Sequence, residues 1–176
     1  EQRLGSIIYA LSVCLLFGTS TLYHRLNWSP EKRLWMRRLD HTMIFVLIAG
    51  TFTPLVSTGI DPEMGTFVLK VVWGSVVVGA IIKLGWPSAP KWISGITYCA
   101  LGWFAVVPLP DILEHWGWTC VVWLLIGGLL YTVGAVCYAL KRPNLIPGIF
   151  GYHEMFHSFV SLAALCHYCS IAAVSW

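Results

Sequence analysis

The sequence predicts an all-α fold: a polytopic bundle of transmembrane helices that forms a single domain over residues 1–176. Apolar residues (Ala, Val, Ile, Leu, Met, Phe, Trp, Tyr and Cys) make up 57% of the chain, and charged residues make up only 11%. A soluble domain carries about 25% charged residues, so this chain has too few to cover a soluble surface. The apolar residues also form continuous runs, without the alternation that is typical of a membrane β-barrel.

Six apolar blocks follow one another along the chain, each near the roughly 20 residues that a spanning helix needs. They cover residues 4–23, 41–60, 66–82, 92–107, 116–140 and 152–176. The connections between them carry proline, for example Pro30, Pro62 and Pro143, as turns between helices do. The sequence therefore predicts six helices.

Basic residues concentrate in alternate connections. Nine lie in the first, third and fifth: Arg25, Lys32, Arg33, Arg37 and Arg38 in loop 25–40, then Lys83, Lys91, Lys141 and Arg142. The positive-inside rule places these connections in the cytoplasm, which puts both ends of the chain outside. We expect an integral protein of the plasma membrane whose partners are membrane lipids. Nucleic-acid binding is excluded, because the basic residues form no extended basic face.

The six cysteines all lie in apolar blocks, where a free cysteine packs as a small hydrophobic residue. Cys166 and Cys169 form a C-x-x-C pair. Because the pair lies inside an apolar helix, we expect it to pack in the core rather than to act in redox chemistry or metal binding.

A few polar residues stand out from this apolar background. Ser20 and His24 share one face at the end of the first block, because they are four residues apart. Asp40 opens the second block, and His153 and His157 are again four apart at the start of the last. The predicted topology places all of these at the cytoplasmic level.

Three neutral imidazoles with one open position are the ligand set of a catalytic zinc ion, and carboxylates commonly support such ligands. The convergence of His24, His153 and His157 with Asp40 therefore favours a zinc site over histidines that merely rest in the membrane interface.

The other histidines fit this site less well. His41 points about 100° away from Asp40. His115 is expected on an outer loop. His167 lies about 15 Å beyond His157 along the helix, where it would line a cavity or satisfy a buried neighbour.

A second interpretation comes from the string His153-Glu154-Met155-Phe156-His157, which matches H-E-x-x-H. In zinc metalloproteases the Glu of this motif is the general base. Asp40 would then be the third ligand of an intramembrane protease, but this interpretation leaves Ser20 and His24 without a role.

Together these residues resemble the haemolysin III family of the progestin and adipoQ receptor superfamily. Three segments carry the resemblance: Ser20-Thr21-Leu22-Tyr23-His24, then Leu39-Asp40-His41 running into Ile48-Ala49-Gly50-Thr51-Phe52-Thr53-Pro54, then Gly151-Tyr152-His153-Glu154-Met155-Phe156-His157. The resemblance implies seven helices, of which the first would precede Leu4 and is absent here.

The resemblance also implies a zinc ion near the cytoplasmic face, held by His24, His153 and His157. Asp40 and Ser20 would then lie around the water that the zinc binds. In the family the second position of the last motif varies, which argues against Glu154 as a base.

On this basis the chain is expected to be a zinc-dependent hydrolase of a lipid amide or ester bond, similar to a ceramidase. Catalytic roles would fall to Asp40 and Ser20. Three alternatives stay open: a receptor with structural zinc, a cytolytic protein that permeabilises membranes, and the H-E-x-x-H protease. A cytolytic protein would need a continuous polar stripe through its helices, and the sequence shows none.

Overall fold

The fold is seen in a computed structural model, which describes residues 2–58, 60–86, 91–146 and 148–175. It contains six α-helices and one 3₁₀ turn, Phe104–Val106. The helices are α1 (Gln2–Arg25), α2 (Pro30–Val56), α3 (Pro62–Gly85), α4 (Lys91–Trp103), α5 (Leu109–Leu140) and α6 (Tyr152–Ser175). No β-strand occurs among the described residues, so the all-α prediction with six helices is confirmed. Gly59, near the end of the predicted block 41–60, and Trp176, the last residue of the predicted block 152–176, lie outside the described residues.

Helix α2 begins eleven residues before the predicted block, and this corrects the prediction that residues 25–40 form a loop. Ser29 is its N-cap residue and Pro30 its first residue, a position where a proline's missing N–H is not needed. The basic residues from Lys32 to Arg38 are therefore helical. Asp40 lies in the third turn of α2, about 15 Å from the helix start at 1.5 Å per residue.

Helix α5 begins seven residues before its predicted block and bends at Gly117, whose φ of 75° and ψ of 179° are not helical. The acidic residues Asp111 and Glu114 therefore belong to a helical segment. His115 belongs to the same segment, which corrects the prediction that it lies on an outer loop.

The chain divides into two compact units, Glu1–Ala89 and Pro90–Trp176. In the first unit α2 packs against both α1 and α3. The buried core of this unit therefore lies along α2, where Ala49, Phe52 and Leu55 are at most 4% exposed. The single domain over residues 1–176 stays a prediction.

Glycines let α1 approach α2 closely. A Cβ at Gly5 would lie 2.7 Å from the Cα of Pro54, and one at Gly50 would overlap the hydroxyl of Ser12. The Ala49–Pro54 segment, which carries part of the family resemblance, is thus buried packing surface.

In the second unit α5 packs against α4 and α6. Ser170 of α6 donates its hydroxyl to the carbonyl of Cys120 at 2.9 Å, and both residues are fully buried. Cys120 and Cys166 lie in the core as predicted, whereas Cys169 is only half-buried and Cys14 is exposed; all six cysteines are free thiols.

Five of the helices are long and apolar enough to cross a membrane: α1, α2, α3, α5 and α6. The α4 region is shorter, with an apolar stretch over Gly95–Val106. Large apolar side chains such as Val77, Ile81 and Leu129 are more than half exposed along these helices, as lipid-facing residues are. The protein is an integral membrane protein.

Candidate metal centre

The first turns of α6 place His153 and His157 side by side. Their Nε2 atoms lie 3.2 Å apart, and the two rings stand at 89° with centroids 4.6 Å apart. Both side chains are half-buried. The two residues therefore lie on one face of α6, as their spacing of four predicts.

The distance between these two nitrogens is compatible with two ligands of one metal ion. Zinc binds imidazole nitrogen at 2.0–2.1 Å in tetrahedral geometry, which places two such nitrogens about 3.3–3.4 Å from each other. The observed 3.2 Å is close to that value. The same separation also suits one N–H···N hydrogen bond between the two rings.

Tyr138 of α5 supports the pair from the neighbouring helix. Its ring centroid lies 5.7 Å from that of His153 and 5.1 Å from that of Phe156. Sequence reasoning missed Tyr138, because nothing in an apolar run marks which aromatic residue faces the next helix.

Glu154 is exposed to solvent. Its Oε2 accepts the backbone N–H of Gly151 at 2.9 Å. A base in an H-E-x-x-H site has its carboxylate turned towards the metal and the substrate. Here the carboxylate is bound to the backbone at the start of α6 instead, which disfavours the protease interpretation.

The remaining predicted residues belong to the first unit. Ser20 and His24 lie one turn apart near the end of α1, where Ser20 is half-buried and His24 exposed. The ring of His24 stands edge-on against Tyr23, with centroids 4.6 Å apart. Asp40 is half-buried on α2, the helix packed against α1.

His41, the residue after Asp40, contacts the backbone of its own helix. Its Nδ1 lies 2.6 Å from the carbonyl oxygen of Arg37, one turn earlier. A carbonyl can only accept, so Nδ1 carries the proton and donates it. This backbone bond orients the ring and accounts for His41 without a metal.

The two further histidines, His115 and His167, each contact an aromatic residue. His115 lies edge-on against Trp116, with ring centroids 4.6 Å apart. His167 is buried between α5 and α6, where its ring faces Tyr131 at 5.4 Å and fills the space that Gly127 leaves open. His167 therefore packs in the core between α5 and α6; that it lines a cavity or satisfies a buried neighbour stays a prediction.

Comparison with known proteins shows the family of the chain. The family model described as "Haemolysin-III related" matches residues 1–168. The Hemolysin-3 homolog of Bacillus subtilis is 30% identical over 153 residues, which cover 87% of this chain and 68% of that protein.

Eukaryotic relatives match as well. An ADIPOR-like receptor of Saccharomyces cerevisiae is 46% identical over 172 residues, which cover 93% of this chain and 47% of the receptor. The Adiponectin receptor protein of Drosophila melanogaster is 30% identical over 189 residues, covering 97% of this chain and 42% of that protein. The extent of the family match, together with the apolar helices, shows that the chain is an integral membrane protein of the haemolysin III family, related to the adipoQ receptors.

Proposed function

We propose that the protein binds one zinc ion through His24, His153 and His157 and hydrolyses an amide or ester bond of a membrane lipid. The observation that carries the proposal is the His153–His157 pair, whose Nε2 separation of 3.2 Å suits two ligands of one tetrahedral ion. Three histidines leave the fourth position of such an ion open, which is the arrangement of catalytic rather than structural zinc.

His24 is the proposed third ligand. It lies in the last turn of α1 with an exposed imidazole, and it ends the Ser20–His24 segment that carries the family resemblance. A third ligand from another helix is needed, because two residues of a single helix cannot surround a tetrahedral ion.

Zinc in such a site lowers the pKa of a water molecule to about 7 and so supplies a nucleophile at neutral pH. Asp40 is proposed to accept the proton of that nucleophile and to hand it to the leaving group. Ser20 lies one turn before His24 on α1, so its hydroxyl is proposed to donate a hydrogen bond to the reacting carbonyl oxygen.

The proposed substrate class follows from the surroundings of the histidines. The helices that carry them expose apolar side chains along their length, and a lipid chain has no reason to leave the bilayer. The proposed location is the plasma membrane, with the histidines near the cytoplasmic face.

A receptor with structural zinc is the second candidate, because relatives carry names such as Adiponectin receptor protein. The two functions differ in the role of Asp40. A hydrolase needs the carboxylate for turnover, whereas a receptor with structural zinc needs no proton acceptor at that position.

The test compares the wild type with Asp40→Asn, a His153→Ala/His157→Ala double variant and Glu63→Gln as a control on α3. Purified proteins are analysed for zinc content and for fatty acid release from a panel of lipid amides and esters. We expect about one zinc per chain in all but the double variant. Turnover should fall at least 100-fold in Asp40→Asn and stay unchanged in Glu63→Gln.

Two results would contradict the proposal. Undiminished zinc in the double variant would remove the site. Full zinc occupancy in a wild type that releases no more fatty acid than a chelator-treated sample would leave zinc structural and favour the receptor.

A further inference from the structure

The start of α6 is held by two side chains that the zinc proposal does not use. The first backbone N–H groups of a helix have no partner within the helix and need one from elsewhere. Glu154 Oε2 accepts the N–H of Gly151 at 2.9 Å, and Asn144 Oδ1 accepts the N–H of Tyr152 at 3.2 Å. Both acceptors therefore fix the backbone next to His153.

The Glu154 contact is half of a capping box. Gly151 is in the N-cap position, because its carbonyl accepts the first helical bond from Met155 at 3.0 Å, and Glu154 is the third helical residue. A Glu or Gln at this position reaches back to the N-cap N–H. The contact thus sets where α6 begins and which way its first turn faces.

Gly151 leaves the room that this arrangement needs. A Cβ at Gly151 would lie 2.8 Å from Asn144 Oδ1 and 3.4 Å from Glu154 Oε2. Without a side chain there, both oxygens converge on the same stretch of backbone.

The segment that carries Asn144 is itself held in place. Ile146 and Phe150 exchange two backbone hydrogen bonds, N to O at 3.0 Å and 2.9 Å. Lys141 ends α5 in the left-handed conformation, with φ of 54°. Backbone hydrogen bonds therefore hold described residues on both sides of Asn144.

We propose that Glu154 and Asn144 are positioning residues for the zinc ligands: they fix the first turn of α6 so that His153 and His157 face one ion. This rests on the proposed zinc site. Glu154 acts through its hydrogen bond to the backbone, so its charge and its basicity are dispensable. That is the opposite of what the H-E-x-x-H motif requires of its glutamate.

The test measures zinc affinity by chelator competition in Glu154→Ala, Glu154→Gln and Asn144→Ala. Residues that orient metal ligands typically contribute 10–100-fold to affinity, so we expect Glu154→Ala and Asn144→Ala to weaken zinc binding by about that factor. Glu154→Gln should stay within about threefold of the wild type, because the amide oxygen of Gln accepts the same N–H.

The matched control is Asp61→Ala. Asp61 caps α3 by accepting the N–H of Met64 at 2.9 Å, so its loss removes a comparable cap from a helix without proposed ligands. Zinc affinity should not change. Backbone hydrogen exchange over residues 152–157 gives a second readout, which should speed up in Glu154→Ala and not in Asp61→Ala.

The outcomes separate this inference from the proposed function. A wild type without zinc defeats the proposed function and this inference with it. Equal zinc affinity in the wild type and Glu154→Ala overturns the inference alone. Equal impairment of Glu154→Gln and Glu154→Ala also overturns it, because the charge and not the cap would then matter.

Discussion

At the scale of single residues, Gly127 decides how closely α5 and α6 can pack. A Cβ there would overlap the imidazole of His167 and lie 3.2 Å from the carbonyl oxygen of Ala163. We expect Gly127→Ala to destabilise the protein by about 1–3 kcal/mol, as overpacking in a tight core does. Gly128 is the matched control, because a Cβ there meets nothing within 4 Å.

Thermal unfolding in detergent checks this prediction. Gly128→Ala should be neutral or slightly stabilising, since alanine is the better helix former. Adding His167→Ala should rescue Gly127→Ala only in part, because the Ala163 carbonyl stays in place. Equal midpoints for both alanine variants would show that α5 and α6 separate easily.

Single residues of the candidate site also differ in whether their roles could be predicted from the sequence. The i, i+4 spacing predicted that His153 and His157 lie on one face of the helix, because helix geometry alone fixes that relation. The role of Glu154 could not be predicted in the same way. The letters H-E-x-x-H are identical for a metal-site base and for a capping residue, and only the direction of the carboxylate distinguishes them. Asn144 and Tyr138 were missed because their contacts cross between elements.

At the scale of helices, hydropathy found the apolar part of each element but not its ends. Helix α2 continues through basic residues to Pro30, and the Ser-Pro-Glu signal at residues 29–31 marks that start. In α5 the predicted start at Trp116 is one residue from the bend at Gly117. The apolar span therefore begins where the helix changes direction, and the acidic segment before it is helical too.

The bend itself leads to a prediction about Gly117. Its φ of 75° with ψ of 179° belongs to a region that essentially only glycine adopts, at a cost of about 1–3 kcal/mol for other residues. We expect Gly117→Ala to lower the free energy of unfolding by that amount. The cause must be the backbone, because a Cβ there meets no atom within 4 Å.

Gly102→Ala on α4 is the control for this backbone effect. A Cβ there also has open space, and Gly102 has no positive φ. Thermal unfolding should therefore separate the two variants, with a loss of stability only at position 117. A neutral Gly117→Ala would mean that α5 straightens without penalty.

At the scale of the whole molecule, composition and block spacing were sufficient for the fold class, because a chain this apolar has few alternatives. They did not fix the orientation in the membrane or the number of domains, so the cytoplasmic placement of the basic connections and the single domain over residues 1–176 stay predictions. The proposed ligands His24, His153 and His157 are distant in the sequence, so an ion that binds all three would cross-link distant segments of the chain.

A zinc ion held by all three histidines should stabilise the protein as a whole. A ligand that binds only the folded state adds about 4 kcal/mol at a free concentration 1,000 times its Kd. We therefore expect a chelator to lower the thermal midpoint of the wild type. His24→Ala should lose most of this response although His153 and His157 are intact, and Asp40→Asn should keep it, because Asp40 is not a proposed ligand. An unchanged chelator response in His24→Ala would confine the metal to α6 and remove His24 from the site.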